Sequence, residues 1–245
     1  MARYKVILAY DGTAFSGMQR QANVRSVQGE VEAALKQVGW PGQSILVAGR
    51  TDAGVHASGQ VIALDFEWAH EDRDLHNALN ATLPEDVAVQ ELAKVADDFH
   101  PRYDAASRTY RYRIYSQPDR DPLRERYAWR VWPLIDLDEA QAAAKLLEGS
   151  HDFRAFGTPL KPDGPTVREV FLASWQKVGA DEYVFQISAN AFLYHMVRRI
   201  VSTLVEVGQG TVEREAFRQH VEAPAGMVQG LAPPNGLSLV RVDYN

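Results

Sequence analysis

One short loop holds the residues of this sequence that are best placed to do chemistry. Residues 49–57 carry an arginine, an aspartate, a histidine and two glycines between two apolar segments. The glycines allow positive φ angles and close backbone approach, and a carboxylate on a loop between rigid strands can be aimed at a ligand. Asp52 is therefore a candidate nucleophile or proton acceptor. The alternative is a tight structural connection in which Arg50 and Asp52 pair locally.

Several other kinds of site are disfavoured by composition. The chain contains no cysteine, which excludes disulfides, thiolate zinc sites and a cysteine nucleophile. His100, His151 and His195 lack metal-ligand spacing, and a single turn histidine such as His56 is more typical of a structural residue. We therefore predict no metal and no cofactor. The N-terminus lacks a signal-peptide pattern, and no apolar run approaches the roughly 20 residues that span a bilayer, so we expect a cytoplasmic protein without a membrane partner.

Charge is unevenly distributed along the chain, whose net charge is −6. Residues 65–98 include ten acidic and two basic side chains, whereas residues 102–130 include eight arginines and four acidic side chains, a local excess of +4. The acidic total argues against nucleic acid as a partner, but an arginine-rich stretch with interleaved tyrosines suits phosphate contact and base stacking. The alternative is a solvated strand face with internal salt bridges.

The elements that must position the loop can be predicted from periodicity. Alternating or short apolar runs predict strands at 4–10, 44–48, 60–66, 87–95, 108–115, 167–176, 182–188 and 237–243. Apolar residues three or four apart predict helices at 26–38, 75–82, 136–149 and 193–207. Antiparallel candidates in both halves indicate an α+β (mixed α/β) fold rather than a doubly wound parallel one. Pro101 and the reversal of charge sign predict an N-terminal subdomain over 1–105 and a C-terminal subdomain over 106–245.

The loop also resembles a known family signature. Arg50-Thr51-Asp52-Ala53-Gly54-Val55-His56 is similar to the motif of the TruA family of tRNA pseudouridine synthases, in which the aspartate is the essential catalytic residue. Further blocks match in family order and cover almost the whole chain; they are Tyr10-Asp11-Gly12, Gln19-Arg20-Gln21, Ser26-Val27-Gln28, Asp98-Phe99-His100, Arg108-Thr109-Tyr110-Arg111-Tyr112 and 189–198. The sequence departs from the family pattern at Met18, Tyr194 and Arg199, where the family commonly has Trp, often has His and commonly has Asn.

The resemblance implies a fold, a reaction and partners. The fold would be two ferredoxin-like subdomains with largely antiparallel sheets on either side of a positively charged cleft. The reaction would convert uridine to pseudouridine at positions 38, 39 and 40 of the tRNA anticodon stem-loop, in a homodimer. Asp52 would then act as the nucleophile on a flipped-out uridine, by addition to C6, by attack on C1′, or as the base of an elimination route. The sequence leaves these three routes open.

The resemblance also implies roles for other side chains. Arg198 would form an ion pair with Asp52, whereas the alternative is ordinary extension of Arg198 to solvent. Tyr110 would bind the flipped uridine by stacking, whereas the alternative is a strand core residue, which suits Tyr112 better. Arg50 would hold the loop or a phosphate. Further possible RNA contacts are Arg20, Arg108, Arg111 and Arg113.

Two rival functions fit the same residues less well. A non-catalytic RNA-binding relative would be favoured by loss of the loop carboxylate, but Asp52 is present. An unrelated hydrolase with an aspartate nucleophile usually has further carboxylates or Mg²⁺ ligands close by. Here the next acidic residue along the chain is Asp65.

Overall fold

The computed structural model describes all residues, 1–245, as a mixture of strands and helices, as the sequence predicts. The strands are β1 (Ala2–Tyr10), β2 (Leu46–Val47), β3 (His56–Phe66), β4 (Val87–Val95), β5 (Ala105–Tyr115), β6 (Trp129–Arg130), β7 (Gly149–Asp152), β8 (Val167–Lys177), β9 (Glu182–Ala189) and β10 (Leu237–Tyr244). The helices are α1 (Val27–Gln37), α2 (Asp72–Thr82), α3 (Leu137–Lys145), α4 (Met196–Gly208) and α5 (Arg214–Glu222). None of these helices combines the length and the apolar character needed to cross a lipid bilayer.

The chain forms two compact units that are not contiguous in sequence. The first contains residues 1–106 and 238–245, and the second contains residues 107–237. The predicted boundary after residue 105 lies one residue from the point where the first unit gives way to the second. Residues 238–245 differ from the prediction, because the last strand pairs in parallel with β3 at Ser238–His56 and Leu239–Ala57 and so belongs to the first unit.

The first unit is built on a sheet that is antiparallel except for β10. Its strand order is β4-β1-β3-β10, with β2 antiparallel to β3. The succession β1-α1-β2-β3-α2-β4 is the β-α-β-β-α-β arrangement of ferredoxin-like folds. The apolar side chains of β1 at Tyr4, Val6, Leu8 and Tyr10 are buried, which confirms the alternation predicted from the sequence.

The second unit is also mixed, but its succession differs from a second ferredoxin-like unit. Strands β5, β9, β8 and β7 lie side by side, all antiparallel to their neighbours, and β7, β8 and β9 form a meander. Helix α4 begins at Met196, three residues later than predicted, because His195 adopts the left-handed region at φ 65°. Helix α5 was not predicted; only Phe217 and Val221 are buried on it, which is too weak an apolar stripe to detect.

Candidate active site

The loop that carries Asp52 connects β2 to β3 in the first unit. Strand β3 begins at His56, so the last two residues of the predicted loop belong to the strand. Asp52 is half-buried and Arg50 is exposed. The Val55 N–H donates to the Asp52 carbonyl at 3.2 Å, and Gly54 between them has φ 77°. The loop is therefore a tight turn whose reversal depends on a glycine.

A buried hydrogen-bond network holds the base of this loop. The Tyr10 hydroxyl and Thr51 Oγ1 are 2.8 Å apart. Gln60 Nε2 donates to the Gly49 carbonyl at 2.9 Å and lies 3.4 Å from the Tyr10 hydroxyl. Burial raises the pKa of Tyr10 to about 12, so its hydroxyl stays neutral and available as a hydrogen-bonding group. The part of the loop that precedes Asp52 is thereby tied to β1 at Thr51 and to β3 at Gly49.

Two glycines let the segment after β1 pack directly on the loop backbone. Gly17 has φ 102°, and a Cβ there would lie 2.8 Å from the Thr51 carbonyl oxygen. A Cβ on Gly12 would lie 2.0 Å from the Val55 carbonyl oxygen. The Met18 N–H donates to the Thr51 carbonyl at 3.0 Å, and the Met18 side chain is fully buried. A larger residue at either position would displace the loop, which explains why both positions are occupied by glycine.

His56 links the same two segments. The Gly12 N–H donates to His56 Nδ1 at 3.0 Å, which places the proton of the neutral ring on Nε2. An Asp11 carboxylate oxygen lies 3.2 Å from the same Nδ1 atom. The ring is buried within a fixed backbone contact, which is the structural role that the sequence favours for this residue.

In the second unit, Tyr110 lies on β5 and faces the apolar side of the sheet. Its side chain is nearly buried, at 9% exposed, and its ring meets the Phe192 ring edge-on with centroids 5.0 Å apart. Tyr112, two residues further along the same face, is completely buried. Its hydroxyl donates to the Pro233 carbonyl at 2.7 Å, and burial raises its pKa well above the usual value. Tyr112 is therefore a core residue, whereas Tyr110 lies at the margin of the core.

Arg198 is held close to the start of α4. Its Nε donates to the Ala232 carbonyl at 2.7 Å, and the Ala232 N–H donates back to the Arg198 carbonyl at 3.2 Å. This reciprocal pair fixes the guanidinium against the 232–233 segment, so the side chain does not simply extend along the helix to solvent. Arg198 and Asp52 belong to different units, and their predicted ion pair stays a prediction.

Most of the arginines considered for RNA contact have partners within their own unit. Arg20 pairs with Glu32 and with the Gln43 carbonyl, and Arg113 pairs with Glu182. Three further arginines of the basic stretch pair with carboxylates; these are Arg120 and Arg130 with Glu125, and Arg124 with Asp181. Four of the eight arginines of this stretch are thus paired with carboxylates, although Arg120 and Arg124 lie in the connection 116–128 and not on a strand face.

Two candidates of the basic stretch bond to neutral groups instead. Arg111 Nε donates to Gln186 Oε1 at 3.0 Å, and Arg108 Nη1 donates to the Asn190 carbonyl at 2.8 Å. Both residues lie on β5, and neither Gln186 nor the Asn190 carbonyl carries a formal charge.

One charged residue with unusual surroundings, Arg168 on β8, is not predicted from the sequence. Its Nε atom is buried and has no hydrogen-bond partner. The only sequence signal is its position two residues before the buried Val170, which places both side chains on one face of the strand. No group of three or more His, Asp or Glu side chains is arranged to hold a metal ion.

The chain is similar to known proteins along its whole length. The family model described as tRNA pseudouridine synthase matches residues 6–104 and 143–245. Proteins named tRNA pseudouridine synthase A are 41% identical in Streptococcus equi, with 100% of this chain and 99% of that protein covered, and 39% identical in Thermotoga neapolitana, with 99% of each covered. A similar solved structure, an archaeal box H/ACA sRNP Nop10-Cbf5 complex, has a TM-score of 0.35, 13% identity, and covers 82% of this chain and 44% of that one. That level of likeness supports no inference.

Proposed function

This chain belongs to the tRNA pseudouridine synthase family, and on that premise we propose that it isomerises uridine to pseudouridine in the anticodon stem-loop of tRNA, at positions 38, 39 and 40. The family fixes the reaction as isomerisation of a tRNA uridine. The stem-loop positions rest on the resemblance of the sequence motifs. Because targets at three adjacent positions share no single sequence, recognition would depend mainly on the shape of the RNA.

The reaction needs one ionised carboxylate next to the reacting nucleotide. The C1′–N1 bond breaks, the uracil rotates, a C1′–C5 bond forms, and the proton lost from C5 is balanced by one gained at N1. No electrons are exchanged with another molecule. Asp52 supplies the carboxylate in this proposal, as nucleophile or as base. The observation that carries the assignment is the rigid support of its loop by Tyr10, Thr51 and Gln60, because a fixed nucleophile lowers the entropic part of a barrier.

A uridine in a stem must leave the base stack before a carboxylate can reach it. Base flipping costs a few kcal/mol, and stacking on an aromatic ring recovers roughly 1–3 kcal/mol. We assign this role to Tyr110, which lies at the margin of the core with one ring edge supported by Phe192. Arg50 is exposed on the same loop as Asp52 and is proposed as a substrate-binding residue.

We also propose, on motif resemblance, that Arg198 pairs with Asp52. A guanidinium beside the carboxylate would orient it through charge-assisted hydrogen bonds. A double-mutant cycle on kcat/KM with Asp52→Glu and Arg198→Lys tests the pair. Coupling between the two substitutions supports the pairing, whereas additive effects contradict it.

Pseudouridine mapping tests the main proposal. An unmodified tRNA with uridines at 38–40 would be incubated with the wild type, with Asp52→Asn and with Asp74→Asn, an exposed carboxylate on α2 that serves as the control. We expect pseudouridine with the wild type and the control, none with Asp52→Asn, and tRNA binding by all three. Modification elsewhere in the tRNA would overturn the stem-loop assignment, and an active Asp52→Asn would overturn the role of Asp52.

The resemblance further supports a homodimer that acts in the cytoplasm without a cofactor. Light scattering at micromolar concentration tests the dimer, and cell fractionation tests the location. Activity of enzyme dialysed against a chelator tests the absence of a metal cofactor, since full activity is expected without added metal. A monomer with full activity would contradict the dimer as a functional requirement.

A further inference from the structure

Arg168 carries a positive charge that this structure leaves without a counterion. Its Nη1 donates to the carbonyl of Val167, the preceding residue, at 2.6 Å. Its Nε is buried and makes no hydrogen bond. No carboxylate lies close enough to support the charge, and burial alone lowers its pKa. Arginine does not lose its proton in proteins, so the charge is kept at a cost in solvation.

Other arginines of the second unit have carboxylate partners. Arg124 is only 26% exposed at its side chain and makes paired hydrogen bonds to Asp181 at 2.8 and 3.2 Å. Arg113 likewise pairs with Glu182. A partly buried arginine is normally paired because an unpaired charge destabilises the fold. An exception such as Arg168 points to an anion that is supplied from outside the chain.

The register of the sheet places Arg168 near the residues already assigned to substrate. Val170 on β8 and Arg108 on β5 both lie opposite Ala189 of the intervening strand β9. Directly opposed residues share a face, and side chains two apart on a strand share it too. Arg168 therefore lies on the same face as Arg108 and Tyr110, one row beyond Arg108 and two rows from Tyr110. Strand spacings of about 4.8 Å and rises of about 3.3 Å per residue put the Arg108 and Arg168 Cα atoms roughly 12 Å apart.

Asn190 fixes the backbone at this end of the sheet. Its Oδ1 accepts the Glu169 N–H at 3.1 Å, its N–H donates to the Glu169 carbonyl at 3.0 Å, and its carbonyl accepts Arg108 Nη1 at 2.8 Å. The residue next to Arg168 is thus tied to the strand that leads into α4. Both arginines are held on one rigid frame, with two guanidinium groups facing the same side.

We propose that Arg168 binds a phosphodiester group of the RNA substrate, on the far side of Arg108 from the nucleotide that stacks on Tyr110. The proposal rests on the proposed function, because it takes tRNA as the substrate. A guanidinium matches two phosphate oxygens with its planar fork of donors. Arg108 would reach the same backbone one or two phosphates away. The charge that is unfavourable in the free protein is then neutralised only in the complex.

Binding of a fluorescent anticodon stem-loop RNA at several salt concentrations tests this proposal. The variants are Arg168→Gln, Arg168→Lys and the matched control Arg124→Gln. Loss of one phosphate contact lowers the slope of log K against log salt by about one, and the loss of a charge-assisted hydrogen bond weakens binding about tenfold or more. Relative to the wild type, we expect a lower salt slope and weaker binding in Arg168→Gln, and neither change in Arg124→Gln. Arg168→Lys should keep the salt slope with intermediate affinity.

Urea unfolding distinguishes a phosphate-binding role of Arg168 from a role in stabilising the fold. Because the only partner of Arg168 in the free protein is the neutral Val167 carbonyl, Arg168→Gln should unfold in urea at the same concentration as the wild type or higher. Arg124→Gln should unfold at a lower concentration, since it leaves Asp181 without its partner. A wild type that fails to bind the RNA overturns both this proposal and the proposed function. A wild type that binds, with an unchanged salt slope in Arg168→Gln, overturns the phosphate contact alone.

Discussion

The Tyr10 hydroxyl lies 2.8 Å from Thr51 Oγ1, so the last side chain of β1 is bonded to the residue immediately before Asp52. Forty-one residues of chain separate the two partners. The bond is fully buried, and Gln60 Nε2 links the same hydroxyl to the Gly49 carbonyl, three residues before Asp52. The position of the carboxylate therefore depends on a tyrosine that belongs to a different part of the sequence.

Tyr10→Phe should weaken this support without removing any group that contacts substrate. Thr51 and Gln60 would each lose a buried partner, which costs about 1–2 kcal/mol of unfolding free energy. We expect kcat to fall while KM for tRNA changes little, because binding surfaces are unaltered. Tyr4→Phe is the control, since Tyr4 bonds to Asp72 on α2, away from the loop. Equal kcat in the two variants would show that the bond is structural only.

The raised pKa of Tyr10 predicts a loss of stability in alkali. A tyrosine in the unfolded chain ionises near pH 10, whereas the buried Tyr10 ionises near 12. The folded state favours the neutral form of Tyr10. Its full contribution to the free energy of unfolding is therefore present below pH 10 and is lost as the pH rises through about 12. Urea unfolding of wild type and Tyr10→Phe between pH 8 and pH 12 isolates this residue. The difference between the two proteins should shrink above pH 10, and a constant difference would contradict the assignment.

Gly17→Ala should disturb the loop through two separate effects. The φ of 102° is strained for any residue with a Cβ, and that Cβ would lie 2.8 Å from the Thr51 carbonyl oxygen. Gly39→Ala is the matched control, because Gly39 has φ 92° but no atom within 4 Å of an added Cβ. Strain alone costs about 1–3 kcal/mol, and both variants should show it in thermal unfolding. Activity should fall further in Gly17→Ala, and an equal fall in both would rule out loop displacement.

Tyr112→Phe should affect the segment that holds Arg198. The Tyr112 hydroxyl donates to the Pro233 carbonyl at 2.7 Å, and the preceding Ala232 carbonyl accepts Arg198 Nε at 2.7 Å. Removing the hydroxyl leaves a buried carbonyl without its donor, at about 1–2 kcal/mol. We expect lower kcat/KM with the reaction still detectable. Normal activity in a measurably less stable variant would show that the 232–233 segment does not position Arg198.

Local sequence patterns were sufficient for most of the elements and for the loop that carries Asp52. Alternation predicted β1, β5 and β9, because each strand has one buried face and one more accessible face and its period of two is visible in the sequence. The Ser26 cap of α1 is also local, since its Oγ accepts the Gly29 N–H three residues later. The glycine-flanked carboxylate was recognisable for the same reason.

Only the tertiary structure decided which groups support the site and which charges are paired. Tyr10 and Thr51, Arg113 and Glu182, and Arg198 and Ala232 are each joined across a long stretch of chain. No local period encodes such contacts, because they depend on strand register and on where the last strand inserts. The sequence therefore determined which residues could react, whereas packing decided that four of the eight arginines between residues 102 and 130 pair with carboxylates and that Arg168 does not.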